Sequence, residues 1–303
     1  MVAIENTRAD LASFERKSTG TAWSPPGLAL PFEPTCGVDG AFYWLTRLLS
    51  ANRRDALYPL RVFCRDVRDI RDDTISLPLK LMLLADWRNQ IGLLYAGRPQ
   101  QAAAAEMQCA IERYGLRCSD FLSIIGEAED GARRCVRAPS RERLDVLCEQ
   151  TTVVTCRLAL RILGATPREA DRVAEPLGRG LRFTGILNDL AKDAAAHRLY
   201  LPRELLQEHG IFATIPSYVL AQPALSKVCD AFAEEARAYF ADAQQVIAEQ
   251  PRLARRAATL MLASHGHLLE ALVTRGWYRL SEPVQIPAPH RAVVRIGRDF
   301  GTH

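Results

Sequence analysis

The chain has 303 residues, and its composition and charge exclude several classes of protein. Its 48% of hydrophobic and 24% of charged residues are ordinary for a globular protein with a sizeable core. A formal net charge of +4 is too small to indicate nucleic-acid binding without a clustered basic patch.

The sequence also indicates where the protein resides. Eight cysteines without CxxC pairs are typical of reduced thiols in a cytoplasmic protein, rather than of a disulfide scaffold or a zinc site. The first thirty residues lack the continuous apolar core of a signal peptide. No apolar run approaches the roughly 20 residues needed to cross a bilayer. We therefore expect a cytoplasmic protein, attached at most to the surface of a membrane.

The composition along the chain predicts one helical domain between two peripheral segments. Residues 1–35 are polar and then proline-rich, which predicts a mobile arm, whereas residues 288–303 form a basic tail. Residues 36–287 are expected to form a single all-α domain, because helical periodicity predominates and strand-like alternation is almost absent. Helices are predicted at about 40–50, 53–73, 76–97, 99–115, 118–129, 140–164, 167–195, 201–208, 223–248 and 251–275, and near the C-terminus.

A few residues predict where helices begin, bend and end. Thr166 precedes a proline and is typical of the residue that opens a helix. Pro59 and Pro176 fall inside two predicted helices and are expected to kink or split them. Leu201 precedes Pro202, which disfavours the helical conformation and predicts the end of the helix before it.

Two carboxylates at helical spacing lie in the second half of the chain. Asp189 and Asp193 are four residues apart, so on a helix they lie one turn apart on the same face. Carboxylate oxygens suit a hard divalent cation such as Mg²⁺, which in turn binds phosphate. The alternative is a solvated face on which these carboxylates pair with Lys192 and Arg198, and the spacing alone favours that alternative.

An earlier predicted helix, ending at Asp73, carries arginines and aspartates together. Its opposite side is apolar, with Leu60, Phe63, Cys64, Val67 and Ile70 forming a core stripe. By composition alone this is a salt-bridged exterior helix, and the functional alternative is one wall of a charged cavity mouth. The charged residues of this helix are Arg61, Arg65, Arg68, Asp69, Asp72 and Asp73.

From about residue 40 to 285 the chain resembles the squalene/phytoene synthase family, the head-to-head isoprenyl diphosphate synthases. The arrangement of its motifs is specific to that family: an acidic helix lies far upstream of an Asp motif, and that motif is followed by the sequence RLYLP. The resemblance rests on Phe42-Tyr43-Trp44, Phe63-Cys64-Arg65 running into Asp69 and Asp72-Asp73, Asp86-Trp87-Arg88, Gly178-Arg179-Gly180-Leu181, Asp189 with Asp193, Arg198-Leu199-Tyr200-Leu201-Pro202 and Arg275-Gly276-Trp277.

The resemblance implies an all-α isoprenoid-synthase fold, a helical bundle around a deep apolar cavity, with two acidic helices facing each other across its mouth. It implies a prenyltransferase in which Mg²⁺ bridges carboxylates to an allylic, farnesyl-like prenyl diphosphate. Ionisation places charge on the leaving diphosphate, and the carbocation left behind needs a dry pocket. The implied catalytic residues are Asp69, Asp72, Asp73, Asp189, Asp193 and Tyr200, of which Asp72, Asp189 and Asp193 are the metal ligands. The implied substrate-binding residues are Arg61, Arg65, Arg68, Arg182, Arg198 and Phe42.

Several positions depart from the family pattern. In the first motif, the acidic motif on the helix that ends at Asp73, Arg68 stands where the family has an aspartate and Arg71 where it has a small residue. We therefore expect this helix to bind Mg²⁺ less readily than the family pattern would, because a guanidinium beside Asp72 competes with the ion for the carboxylate oxygens. The second motif keeps both of its carboxylates. The remaining departures are Arg61 for tyrosine, Gly40 and Ala41 for small hydroxyl residues, Arg182, Gly185 and Asn188 for Gln, Asn and Arg, and Pro283 for a phosphate-binding arginine.

Three functions therefore remain open. The first is a presqualene-type condensation of two prenyl diphosphates. The second uses one prenyl diphosphate, for transfer to a small non-prenyl acceptor such as an aromatic ring or for cyclisation. The third is a non-catalytic relative that acts as a binding or assembly protein. Retention of Asp189, Asp193, Arg198 and Tyr200 together favours prenyl-diphosphate chemistry.

Overall fold

The computed structural model describes residues 49–98 and 102–284, and the regular secondary structure in those ranges is helical. The only β structure among these residues is an isolated parallel bridge between Arg137 and Leu199. The predicted all-α class is therefore confirmed. Phe42, the predicted arm and the predicted tail lie outside the described residues. No described helix combines the length and the apolar character needed to cross a membrane.

The chain divides into two compact units. The prediction of a single domain over residues 36–287 stays a prediction. The first unit includes α1 (Ala51–Asp72), α2 (Leu77–Tyr95), α3 (Ala102–Tyr114) and α4 (Cys118–Arg133). The second includes α5 (Arg141–Cys148), a π-helical turn (Glu149–Val153), α6 (Val154–Ile162), α7 (Pro167–Asn188), α8 (Leu190–Ala195), α9 (Arg203–Glu208), α10 (Pro216–Leu220), α11 (Leu225–Ile247) and α12 (Arg252–Arg275).

The first unit packs around the apolar face of α1. Phe63, Val67 and Ile70 are buried, as the core stripe predicts. The ring of Phe63 meets Trp87 of α2 and Phe121 of α4 edge to face, each at 5.3 Å between centroids. Such pairs add about 0.5–1.5 kcal/mol to the stabilisation from area burial. The polar side of α1 is thereby held away from this core.

The second unit is built around α7, which packs against α11, α6, α12 and the π-helical turn. Thr166 caps α7 as predicted, because its side chain accepts from the Glu169 N–H while Glu169 accepts from the Thr166 N–H, a capping box. In the core, Phe183 of α7 stacks on Phe232 of α11 at 4.2 Å and meets Tyr239 edge to face.

Two glycines allow α7 to approach its neighbours closely. A Cβ on Gly178 would lie 2.7 Å from the Val153 Cα in the π-helical turn. A Cβ on Gly180 would lie 2.6 Å from the ring of Phe240 on α11. Only glycine leaves room for these contacts.

Several predicted helix boundaries are wrong. Pro59 and Pro176 lie inside α1 and α7 as predicted, but neither proline splits its helix, and a kink at either one stays a prediction. The predicted helix over 140–164 instead contains the π-helical turn, and the one over 167–195 is interrupted at Asp189. The sequence also did not predict α10. Its five residues are too few to show a helical period.

Candidate active site

Asp189 and Asp193 lie at the junction of α7 and α8 in the second unit. Asp189 has φ −94° and ψ 8°, which separates the two helices. The Asp193 N–H nevertheless donates to the Asp189 carbonyl at 2.7 Å, so the helical ladder continues past the junction. The two residues therefore lie one turn apart, as their spacing predicts. The Asp189 carboxylate also accepts from the Asn188 side-chain amide at 2.8 Å.

The end of α8 brings Arg198 onto Asp193. The Arg198 N–H donates to the Asp193 carbonyl at 2.8 Å, and the His197 N–H donates to the Ala194 carbonyl at 3.0 Å. This pattern is a Schellman motif, with His197 in the left-handed conformation at φ 58°. The Arg198 guanidinium then lies 3.2 Å from the Asp193 carboxylate. The prediction that the Leu201–Pro202 pair ends this helix is wrong, since the Schellman motif ends it earlier.

The isolated β bridge anchors the segment that follows. The Leu199 N–H donates to the Val136 carbonyl at 2.8 Å, and the Ala138 N–H donates to the Leu199 carbonyl at 2.9 Å. Ala138 is buried and has φ 49°, a conformation that costs a residue with a Cβ roughly 1–2 kcal/mol. Non-glycine residues in such conformations are enriched at functional sites. Tyr200, next along the chain, is buried.

Arg182 lies about two helical turns before Asp189 on α7. Its guanidinium carbon stands 4.8 Å from the centroid of the Tyr200 ring. Its Nε and Nη2 are shielded from solvent and have no hydrogen-bond acceptor within the described residues. Because an unsatisfied buried donor is costly, this guanidinium is suited to an anionic oxygen.

Burial raises the pKa of Asp193 above its usual value. The Arg198 guanidinium opposes that rise, the Asp189 carboxylate adds to it, and Arg182 again opposes it. Because burial disfavours the ionised form of this carboxylate, a guanidinium or a metal ion beside it is stabilising.

In the first unit, each arginine of the first motif pairs with the aspartate that follows it. Arg65 contacts Asp66 at 3.3 Å, Arg68 contacts Asp69 at 3.6 Å and Arg71 contacts Asp72 at 2.9 Å. The repeated Arg-Asp dipeptide in RDVRDIRDD is the sequence signal for this ladder, and the sequence reasoning missed it. The ladder matches the salt-bridged alternative for this helix. Arg61 is half-buried on the same helix.

Asp73 has a local structural role. Its Oδ1 accepts from the Thr74 N–H at 2.6 Å and from the Ile75 N–H at 3.2 Å, just past the end of α1. These bonds satisfy two backbone N–H groups of the turn that leads to α2. They give Asp73 a structural role, and its predicted catalytic role stays a prediction.

The described residues contain no group of three or more His, Cys, Asp or Glu side chains that could hold a metal ion by themselves. Mg²⁺ commonly binds through one or two carboxylates together with substrate phosphate and water. Asp189 and Asp193 fit that donor set. The carboxylates of Asp69 and Asp72 on α1 are paired with arginines, and that of Asp193 is paired with Arg198.

A separate cleft of about 460 Å³ lies in the second unit, beside the C-terminal end of α12. It is lined partly by Ala191, Leu225 and Trp277. The carboxylates of Asp189 and Asp193 are not part of its lining, so we do not assign it to the candidate active site.

Comparison with known proteins identifies the family. A model of the family described as squalene/phytoene synthase matches residues 37–290. The chain belongs to the squalene/phytoene synthase family. Within this family it is 35% identical over 249 residues to the presqualene diphosphate synthase of Rhodopseudomonas palustris, covering 82% of this chain and 89% of that protein. It is 32% identical, with the same coverage, to the presqualene diphosphate synthase of Sinorhizobium fredii.

The family's fold is also present. The structure is similar to the crystal structure of a dehydrosqualene synthase in complex with ligand, with a TM-score of 0.74, 15% identity and 99% coverage of each chain. At that identity the likeness shows the fold alone. The predicted family, its isoprenoid-synthase fold and the predicted class of prenyltransferase are confirmed. The roles of individual residues, and the facing of the two acidic helices, stay predictions.

Proposed function

We propose that the protein condenses two allylic prenyl diphosphates head to head, which its membership of the squalene/phytoene synthase family and its similarity to presqualene diphosphate synthases support. The observation that carries the proposal is the cluster in the second unit. There a shielded, unsatisfied Arg182 lies over Tyr200, and Arg198 is held on one of two carboxylates a turn apart. The similarity to those relatives over 89% of their length favours condensation over the two alternatives.

In this proposal the cluster binds and ionises one prenyl diphosphate. Arg182 and Arg198 donate to the oxygens on which negative charge grows as the diphosphate departs. The face of Tyr200 supports the Arg182 guanidinium through a cation–π contact. Asp189 and Asp193 would hold Mg²⁺, which supplies Lewis-acid stabilisation of the leaving group. Arg61, Arg65 and Arg68 are proposed to bind diphosphate from α1.

The first test is product analysis with farnesyl diphosphate and Mg²⁺. We expect diphosphate release together with a product of doubled chain length. Asp189→Asn and Asp193→Asn should each lower turnover by about 100-fold or more, because each removes charge stabilisation from the transition state. Asp242→Asn, an exposed position on α11, is the matched control and should leave turnover unchanged. Near-normal rates in the first two variants would contradict the site.

The same assay separates the alternatives. Diphosphate release without the condensed product would favour an enzyme that uses one prenyl diphosphate and a small acceptor, or that cyclises its substrate. Neither release nor Mg²⁺-dependent substrate binding would favour the non-catalytic relative.

We further propose that the second unit contacts a membrane surface through the stretch Ile211–Ser226. This stretch contains no charged residue or histidine. Two of its aromatic side chains are largely exposed, Phe212 at 77% and Tyr218 at 62%. Exposed aromatic residues on an uncharged segment are typical of proteins that lie at a lipid interface. The lipid chemistry of the proposed product makes a bilayer the natural partner.

Sedimentation with phosphatidylcholine vesicles tests this contact. Replacing Phe212 and Tyr218 together by serine should weaken vesicle binding by about tenfold or more, since each ring contributes to apolar burial. The control is Tyr278→Ser, which is 84% exposed but lies outside the stretch. Equal loss in the control, or no loss in the double variant, would contradict the proposal.

A further inference from the structure

Arg71 of α1 is held in place by a buried carboxylate on α4. Its Nη1 donates to the Glu127 Oε2 at 3.1 Å. The Glu127 side chain is only 3% exposed, and that of Arg71 is 13% exposed. Removing one partner of a buried ion pair leaves an uncompensated charge, so this guanidinium is strongly held at its position.

Helix α4 also leaves space for the Arg71 side chain. Gly131 lies one turn after Glu127 on α4, and a Cβ there would come within 2.9 Å of the Arg71 Cδ. The Arg71 carbonyl in turn accepts from the Lys80 Nζ at 2.9 Å. Helix α4 therefore accommodates this arginine in two ways. Glu127 binds its guanidinium, and Gly131, one turn later, has no side chain to collide with it.

The other edge of the Arg71 guanidinium binds Asp72. The Arg71 Nε lies 2.9 Å from the Asp72 Oδ1, and the Arg71 Nη2 lies 3.2 Å from the Asp72 Oδ2. Both carboxylate oxygens therefore accept from the same planar guanidinium. Bidentate pairs of this kind are stronger and more specific in geometry than single hydrogen bonds. A Mg²⁺ ion at Asp72 would have to displace a cation that Glu127 holds in place.

We infer that the Arg71 guanidinium takes the place of a metal ion on α1, so that Asp72 is no metal ligand and the chain binds Mg²⁺ through Asp189 and Asp193. The second half of this inference rests on the proposed function. Asp72 thereby departs from the role that the family resemblance implies for it, and the physical basis is the Glu127–Arg71–Asp72 chain of contacts. The Arg68 and Asp69 pair places a further cation on the same helix.

The test counts bound Mn²⁺, as a paramagnetic substitute for Mg²⁺, by electron paramagnetic resonance in the presence of inorganic diphosphate. Asp72→Asn should leave the number of bound ions unchanged and their affinity within about twofold. Asp193→Asn should lose bound Mn²⁺. Loss of an ion in Asp72→Asn would overturn the inference, as would the absence of bound Mn²⁺ in the unsubstituted protein. Because no turnover is needed, failure of the condensation reaction would not be mistaken for failure here.

A second variant tests the role of Arg71 directly. Combining Arg71→Gln with Glu127→Gln removes the fixed cation and the buried charge together, so no buried carboxylate is left without its partner. We expect this double variant to bind one additional Mn²⁺, which is lost again when Asp72→Asn is added. If circular dichroism shows that the double variant is folded and it still binds no additional Mn²⁺, then Arg71 is not what excludes the metal.

Discussion

His197 adopts a backbone conformation that glycine adopts more readily, and the geometry of the site depends on it. With φ 58°, this residue turns the chain at the end of α8 so that Arg198 meets Asp193 through both its N–H and its guanidinium. Residues with a Cβ pay roughly 1–2 kcal/mol for this conformation. The contact between Arg198 and Asp193 therefore costs the backbone some free energy.

Replacing His197 by glycine should recover part of that cost. Because glycine also loses more entropy on folding, the expected net stabilisation is about 0.5–1 kcal/mol. The measurement is the midpoint of thermal unfolding, which should rise by about 1–2 °C. His209→Gly is the control, because His209 has φ −100° and gains nothing from glycine. A lower midpoint for His197→Gly would contradict this account.

At the scale of elements, α7 depends on the absence of a side chain at Gly178. The nearest atoms to a Cβ there are the backbone Cα and N of Val153, at 2.7 and 2.9 Å. Backbone atoms inside a helical turn cannot rotate away as a flexible side chain can. The π-helical turn and α7 are therefore matched to each other at this point.

Gly178→Ala should consequently destabilise the protein by about 1–3 kcal/mol, the usual cost of overpacking. Gly185→Ala in the same helix is the matched control, because a Cβ at that position would have no neighbouring atom within 4 Å. Alanine there should stabilise the helix by up to about 1 kcal/mol. Urea denaturation measures both changes, and a stable Gly178→Ala variant would show that the π-helical turn can move.

At the scale of the whole molecule, buried His265 links stability to pH. Its Nδ1–H donates to the Met261 carbonyl at 2.9 Å on α12. Burial lowers the pKa of His265 below its usual value of 6.5, and the bond to Met261 opposes that shift. The unfolded chain therefore binds a proton at this residue more readily than the folded chain does.

The free energy of unfolding should thus fall as the pH drops below about 6.5, by at most about 1.4 kcal/mol per pH unit from this residue. Its stabilising contribution is fully present above that pH. In His265→Gln the decrease between pH 7 and pH 5 should be smaller, as measured by urea denaturation at each pH. His267→Gln, at an exposed position, should retain the decrease seen in the unsubstituted protein. The same decrease in all three proteins would remove His265 as its source.

Features set by residues close together in the chain could be predicted from the sequence. The spacing of Asp189 and Asp193, the cap at Thr166 and the buried stripe of α1 all follow from the helical period and from local hydrogen bonding. The order of motifs along the chain was enough to indicate the family, since each motif is a short run of residues. The Arg-Asp ladder of α1 was also present in the sequence, though it was not recognised there.

Features that depend on residues far apart appeared only in the folded protein. Glu127 lies 56 residues from Arg71, and no local pattern indicates that the two meet. The π-helical turn lies beside Gly178 of another helix, and the Schellman motif at His197 lacks the glycine that would reveal it. Helical periodicity tells which side of a helix is apolar. Which charged side chain meets which is decided by how the helices pack, because burial makes an unpaired charge too costly to keep.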